Sequence, residues 1–442
     1  MSKSSKSTFQ QWCETTSWHG WSDWSSSESI LVKLVWSVIL LGSMALLVLS
    51  IVNLMTQFMD GDKWTTTVYE AGVEGGALEF PTITICNFNR LRLSKAMEYN
   101  FTPELRRYFF FHFLVKYPFE PTPEEQIYAV ADNYTKWRKE HNMTFVKLVN
   151  EMGFGCEQLE VIRTGGSPLG DPCNQHGNTT TTEQNLTDNG ISFKTVYTPE
   201  FTKCFQIHID PKAYNATKPG TANGISFVLN AFIEEELPDL ERNFLDEGFA
   251  IQADYNGRFD LGSWMMISPG THSWIALKQE MTKQRQSVTD IHLFKAPCVD
   301  SPTLQIMPDN FYSVLNCHQD CDMMYLSMLC NCALTPDGNE VNNLTTCEWD
   351  AVDKCFQEST LEDQSRVVEY VENSCKKKCK PPCKDRRIKY SITTSKFPSH
   401  AQSHSLAEII AKEGGAENKT PEAVLKSYAA VDLYFQTMQL QV

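Results

Sequence analysis

The sequence predicts an α+β membrane protein, with one transmembrane helix near the N-terminus followed by a large, disulfide-rich exterior domain. Three observations predict it. From Leu34 to Leu54 the chain reads LVWSVILLGSMALLVLSIVNL without a charged side chain. All of the 15 cysteines except Cys13 come after that run. Beyond it, short β-branched segments bounded by Gly, Pro or Asn alternate with longer helical ones.

At ~1.5 Å rise per residue the apolar run covers the ~30 Å hydrocarbon core of a bilayer, so it reads as a membrane helix. A cleaved secretory signal fits badly, because the run is longer than the usual apolar region of a signal, starts well inside the chain and is not followed by a small-residue cleavage site. Flanking charge says little about orientation, since Lys3, Lys6 and Lys33 are offset by Glu14, Asp23 and Glu28. The Asn-X-Ser/Thr triplets say more. They begin at Asn100, Asn133, Asn142, Asn178, Asn185, Asn215, Asn343 and Asn418, all after the helix, and are the expected glycan acceptors. Sequons and cysteines together place the N-terminus in the cytosol, with Cys13 a reduced thiol, and the bulk of the chain outside the plasma membrane.

A net charge of -15 with 42% hydrophobic and 11% aromatic residues describes an acidic domain with a substantial core. It argues against nucleic acid as a partner and is compatible with cations or basic ligands. Residues 78–88, 201–209, 224–233, 248–255 and 386–394 read as strands of one antiparallel sheet. Residues 91–153 read as aromatic helices, and 165–189 as a polar linker.

Ten cysteines crowd between Cys298 and Cys383. Cys317 and Cys321 are four apart, as are Cys375 and Cys379, so each pair shares a helical face and two helices can be laddered by bridges. A zinc site is the competing reading, but the paired C-x-x-C of a zinc ribbon is missing and an exported module favours disulfides, so no metal is expected. No HExxH, GxSxG or GxxxxGK[ST] motif occurs, which argues against an enzyme and against a cofactor.

Four separated segments carry a resemblance: His19-Gly20, FPTITICNFNRLR (80–92), SPGTHSWIALKQ (268–279) and CHQDCDMMYLSMLCNC (317–332). Together they resemble the degenerin/epithelial sodium channel superfamily, which includes acid-sensing and neuropeptide-gated channels. The resemblance implies a homotrimer, or a heterotrimer with related subunits, that passes sodium ions across the lipid bilayer and is blocked by amiloride-like compounds. Each subunit would have two membrane helices and a clenched-hand ectodomain of palm, β-ball, knuckle, finger and thumb. It also implies the bridges Cys86–Cys204, Cys156–Cys173, Cys298–Cys383, Cys317–Cys379, Cys321–Cys375, Cys330–Cys355 and Cys332–Cys347.

The division implied is 1–32 cytosolic N-terminus, 33–57 transmembrane helix, 58–90 wrist and first palm strand, and 91–200 finger with part of the β-ball. Then follow 201–297 palm, knuckle and β-ball, 298–383 thumb, and 384–442 knuckle and last palm strands. His19, Gly20, the wrist residue Trp64 and a turn at Met438 and Gln439 are the expected gating positions. The family's second membrane helix, with its Gly-X-Ser filter, is not among these residues and is expected after the strand and linker at 434–441.

Residues decide between stimuli. Acid-sensing members carry histidines just after the first helix, where this chain has Thr65, Thr66 and Thr67, which do not titrate. Their thumb Trp has no counterpart in LFKAPC (293–298), although carboxylates such as Glu234, Glu235 and Glu236 remain possible proton acceptors. In the finger, Tyr108, Phe109, Phe110, Phe113, Tyr128, Tyr134 and Trp137 offer stacking and cation–π surface, with Asp132, Glu124 and Glu125 to hold a cation. That pattern predicts a cleft for an FMRFamide-type neuropeptide. Core packing between helices is the competing reading of the same aromatics. Proton gating is the alternative stimulus, and a single-pass receptor without a pore is the alternative class.

Overall fold

The computed structural model describes residues 8–16, 20–59, 69–70, 78–111, 130–164, 167–168, 183–186, 190–198, 201–238, 247–255, 264–283, 298–300, 303–306, 312–333, 344–413, 420–438 and 440–441. They belong to two compact units, one ending at Thr66 and one holding 67–284 and 298–442.

In the first unit, helix Ile30–Met59 is 30 residues long, extending the predicted 33–57 at both ends. Ile30, Leu31 and Val32 continue the apolar run, and Lys33 is compatible with it because its long stem lets the ammonium reach the interface. Residues Ile30–Thr56 have a mean hydropathy of 2.5 and none of that span is buried, as suits a helix whose solvent is lipid. Two short helices, Thr8–Thr15 and Trp21–Ser26, precede it. The Trp24 indole N–H donates to Ser37 Oγ at 2.8 Å, which ties the second to the long helix.

The second unit is built on two sheets. One runs Tyr69–Glu70, Leu440–Gln441, Thr271–Lys283, Tyr428–Phe435, Ile225–Asn230, Leu159–Thr164, Ser167–Pro168, with Lys384–Lys396 also paired to Thr271–Lys283. The other runs Met265–Ile267, Phe249–Asp254, Thr82–Asn87, Thr202–Ile209, Ile191–Thr198, Glu183–Leu186. The expected single antiparallel sheet is thereby corrected. Thr82–Asn87 and Phe249–Asp254 are buried at every residue, so both of their faces need cover that one half-solvated sheet does not give. The pairing is also mixed, because Thr271–Lys283 runs parallel to Tyr428–Phe435. Ile83, Ile85, Phe205 and Ile207 from one sheet share a core with Phe227, Leu229, Ile275, Leu277 and Leu433 from the other. The expected linker 165–189 contributes strand Glu183–Leu186, hairpinned onto Ile191–Thr198.

Helices Leu93–Glu98, Pro103–Phe111, Ala131–Glu140 and Phe145–Met152 form an aromatic module. Thr144 caps the last of them by accepting from the Lys147 N–H at 3.2 Å. The cysteine-rich region folds as helix Val314–Cys330, helix Trp349–Glu358, helix Leu361–Tyr370 and a π-helical turn, Val371–Cys375. Ser313 and Thr360 cap two of these helices, and Asn331 ends the first in the left-handed conformation.

The cysteines pair as Cys86–Cys204, Cys298–Cys383, Cys317–Cys379, Cys321–Cys375, Cys330–Cys355 and Cys332–Cys347. Cys156 is also disulfide-bonded, and its expected partner Cys173 lies outside the described residues. Helices Ser403–Glu413 and Pro421–Ser427 follow the long edge strand.

Candidate functional site

The aromatic module and the disulfide-laddered module meet on helix Trp349–Glu358. Trp349 and Val352 enter the aromatic core, where Trp349 meets Phe145 edge to face at 5.9 Å between ring centres. Cys332 and Cys347 belong to the same core, so their bridge braces the loop that delivers Trp349.

Around this apolar contact runs a rim of ionisable groups. The Tyr108 hydroxyl donates to the Asp353 carboxylate. Arg138 donates to Asp350 Oδ2 through its NH2 at 3.0 Å and its Nε at 3.3 Å, and the Thr135 hydroxyl reaches the same oxygen at 2.9 Å. Glu348 accepts from the Phe145 backbone N–H at 3.0 Å on each carboxylate oxygen, with the Arg138 guanidinium 3.7 Å away. At the N-terminus of helix Phe145–Met152, Glu348 thus meets both an orphan donor and the positive end of the helix dipole.

Burial nevertheless outweighs these contacts and, helped by the nearby charge of Asp350, pushes the Glu348 carboxyl up to about 7. Burial also raises the hydroxyls of Tyr108 and Tyr134 well above the ordinary phenol range, so both are neutral donors. The junction therefore holds one carboxyl poised to take up a proton near neutrality, beside Asp350 and Asp353, which are engaged by hydrogen bonds.

This arrangement corrects the expected peptide cleft. Tyr108, Phe109, Phe110, Tyr134 and Trp137 are all at most 6% exposed and form the core between helices rather than a surface. Trp137 stacks on Phe101 at 4.5 Å, Tyr108 meets Tyr134 at 4.8 Å, and the Trp137 indole N–H donates to the Tyr99 carbonyl at 2.8 Å. Burying such rings releases more free energy than stacking on a solvated ligand returns. Asp132 is exposed; Phe113 and Tyr128 lie outside the described residues.

Of the expected gating positions, His19, Trp64 and Gln439 lie outside the described residues. Gly20 begins the turn before Trp21–Ser26 with φ +90°, and a Cβ there would lie 3.1 Å from Trp36 and 3.2 Å from Leu40. Met438 packs half-buried against the two-sheet core. Asn100, Asn133 and Asn142 are exposed, whereas the half-buried Asn215 donates its side-chain amide to the Pro211 carbonyl. Asn185 lies in strand Glu183–Leu186, and Asn178, Asn343 and Asn418 lie outside the described residues.

Glu235 holds a distant segment of the chain. It accepts from the Ser94 N–H at 2.9 Å, capping helix Leu93–Glu98. Arg138, Glu348, Asp350 and Asp353 were not singled out by the sequence. Their only signal was three acids within six residues before Cys355, read there as part of a cysteine ladder.

Residues 12–442 match the family described as amiloride-sensitive sodium channel. The chain is 21% identical to acid-sensing ion channel 2 of Danio rerio, over 92% of this chain and 70% of that protein. It is 22% identical to bile acid-sensitive ion channel of Mus musculus, over 98% and 79%, and to acid-sensing ion channel 1 of Gallus gallus, over 98% and 76%. With nearly its whole length matched, the chain belongs to the amiloride-sensitive sodium channel family.

Proposed function

We propose that the chain is one subunit of a trimeric, sodium-selective channel of the plasma membrane, opened from the extracellular side by protons acting at the junction of finger (91–153) and thumb (298–383). The observation that carries the reading is the buried Glu348 carboxyl, pushed up to about 7 between Arg138 and Asp350. Because burial raises it, proton uptake favours the packed junction over any arrangement that exposes Glu348 to water. Acid therefore draws helix Trp349–Glu358 onto the aromatic helices. Names of relatives point the same way, since two of those compared are acid-sensing channels.

A contiguous route leads from the junction toward the expected gating turn. The ladder bridges stiffen the thumb, and Cys298–Cys383 ties its base to strand Lys384–Lys396. That strand pairs along its whole length with Thr271–Lys283, which pairs in turn with Tyr428–Phe435, just before Met438. A shift of the thumb therefore loads the strand that ends at the expected gating turn.

The neuropeptide reading keeps one observation, the exposed acid Asp132 on helix Ala131–Glu140, next in sequence to a segment holding Phe113, Glu124, Glu125 and Tyr128. Currents from the full-length protein in oocytes, at pH 7.4, at pH 5 and with FMRFamide-like peptides at pH 7.4, separate the two. A sodium current on acidification with no response to peptide supports proton gating. Peptide current with no acid current replaces it with the neuropeptide reading.

A further inference from the structure

The densest sulfur chemistry among the described residues lies where helix Val314–Cys330 faces the turn 371–379. The bridges Cys317–Cys379 and Cys321–Cys375 are adjacent rungs, and they touch: Cys321 Sγ lies 3.9 Å from Cys379 Sγ. The sulfurs of Cys317, Cys321 and Cys379 all lie within 4.8 Å of one another. Exchange between a thiol and a disulfide requires just such an approach, of a thiolate to a sulfur of a neighbouring bridge. Cys321 is buried, while Cys317, Cys375 and Cys379 are half-buried.

Charge at this corner is unusual for so acidic a chain. Lys377, Lys378 and Lys380 are exposed beside Cys375 and Cys379, whereas Lys376 is held by Asp322 at 2.9 Å and Glu372 at 2.7 Å. Ammonium groups around a sulfur favour thiolate over thiol, and they draw in anionic reagents.

We propose that the two rungs form an exchange-competent pair, opened by an anionic low-molecular-weight thiol of the glutathione class and convertible to an alternative Cys321–Cys379 bridge. The thiolate of the reagent attacks Cys375 Sγ, a mixed disulfide forms there, and Cys321 leaves as a thiolate. Cys321 then attacks Cys379 Sγ, the Cys321–Cys379 bond forms, and Cys317 leaves as a thiolate that takes a proton from water. Attack at Cys317 runs the mirror route, releasing Cys379 to attack Cys321 and freeing Cys375. Both routes reach the same new bridge, with one thiol consumed and one released and no net oxidation. Two rungs become one, and the stiffness of the module becomes dependent on the surrounding thiols. This inference holds whichever stimulus opens the channel.

The test is a disulfide map of the purified full-length protein after incubation with reduced glutathione and quenching with N-ethylmaleimide. Cleavage before Asp320 and Asp322 separates Cys317 from Cys321, and tryptic cleavage at Lys376–Lys378 separates Cys375 from Cys379. The expected product is a Cys321–Cys379 cross-linked peptide, with glutathione on Cys375 or Cys317 and maleimide on the other. Only original bridges, or both rungs reduced without the new one, would overturn the proposal.

In a Cys375→Ser variant, Cys321–Cys379 is expected beside Cys317–Cys379. Cys317–Cys379 alone in that variant counts against it. Should the variant fail to fold, the wild-type map decides.

Discussion

Arg138 and Asp350 meet at 3.0 Å across the boundary between the aromatic helices and the disulfide-laddered module, 212 residues apart in the chain. Both side chains are mostly shielded from water, so the pair is worth more as a matched couple than either charge is alone. Asp350→Ala leaves the guanidinium with Glu348 as its remaining acid partner and should destabilise the junction by ~1–3 kcal/mol. The double variant Arg138→Met with Asp350→Ala should cost less than the sum of the single changes. Denaturant unfolding of the four proteins checks it, and additive losses would show that the two groups do not couple.

Glu348 gives the junction a pH dependence whose sign is fixed. Its carboxyl ordinarily titrates at 4.5 and in the fold is pushed up to about 7, so between those values the folded chain holds a proton that the unfolded chain releases. Stability from this group therefore grows as pH falls from about 7, and is fully present below about 4.5. The change is on the order of 3 kcal/mol at most. Glu348→Gln, which keeps an acceptor for the Phe145 N–H, should remove this component from the difference in Tm between pH 8 and pH 5. Equal pH profiles for variant and wild type would contradict it.

Phe109 has no solvent exposure and lies between Phe101, Phe110 and Phe145. Phe109→Ala should destabilise the protein by ~3–5 kcal/mol and reduce its amount at the cell surface. Channels that do reach the surface should keep the wild-type potency for their ligand. A potency shift at normal surface density would return Phe109 to a binding role.

The bridge Cys332–Cys347 closes a separation of 15 residues next to Trp349. Replacing both cysteines by alanine should cost about 3 kcal/mol from the unfolded chain's regained freedom, and loosen the approach of Trp349 to Phe145. Tryptophan fluorescence of the purified protein, followed through denaturant, reads both effects. An unchanged unfolding midpoint would show that the loop is held without its staple.

At Gly20, φ +90° and the nearness of Trp36 and Leu40 leave no comfortable place for a side chain. Gly20→Ala should cost ~1–2 kcal/mol locally and displace helix Trp21–Ser26 from the membrane helix. Current per channel should fall while surface labelling stays constant. A variant with normal currents would remove the turn from the gating machinery.

Features carried by nearby residues were readable in advance. The membrane helix announces itself by one uninterrupted apolar run, and the ladder by cysteines four apart on each partner. Five strand regions were found, but not Leu159–Thr164, Ile191–Thr198 or Thr271–Lys283, nor the division into two sheets, because complete burial of Thr82–Asn87 depends on what covers each face. The rim of the junction was invisible for the same reason. Glu348 is raised by burial against a helix whose Phe145 N–H it accepts from 203 residues away, and no local pattern carries that information. The finger aromatics were read as a ligand surface, because hydrophobicity alone does not say whether a ring faces a ligand or another helix.

The most direct measurement is the acid dependence of sodium current for the full-length channel and its Glu348→Gln variant, at matched surface density. Proton action at the junction predicts a wild-type current that rises as pH falls through the neighbourhood of 7, and a variant whose response to acid is shifted or lost. Identical acid-response curves for the two would contradict it.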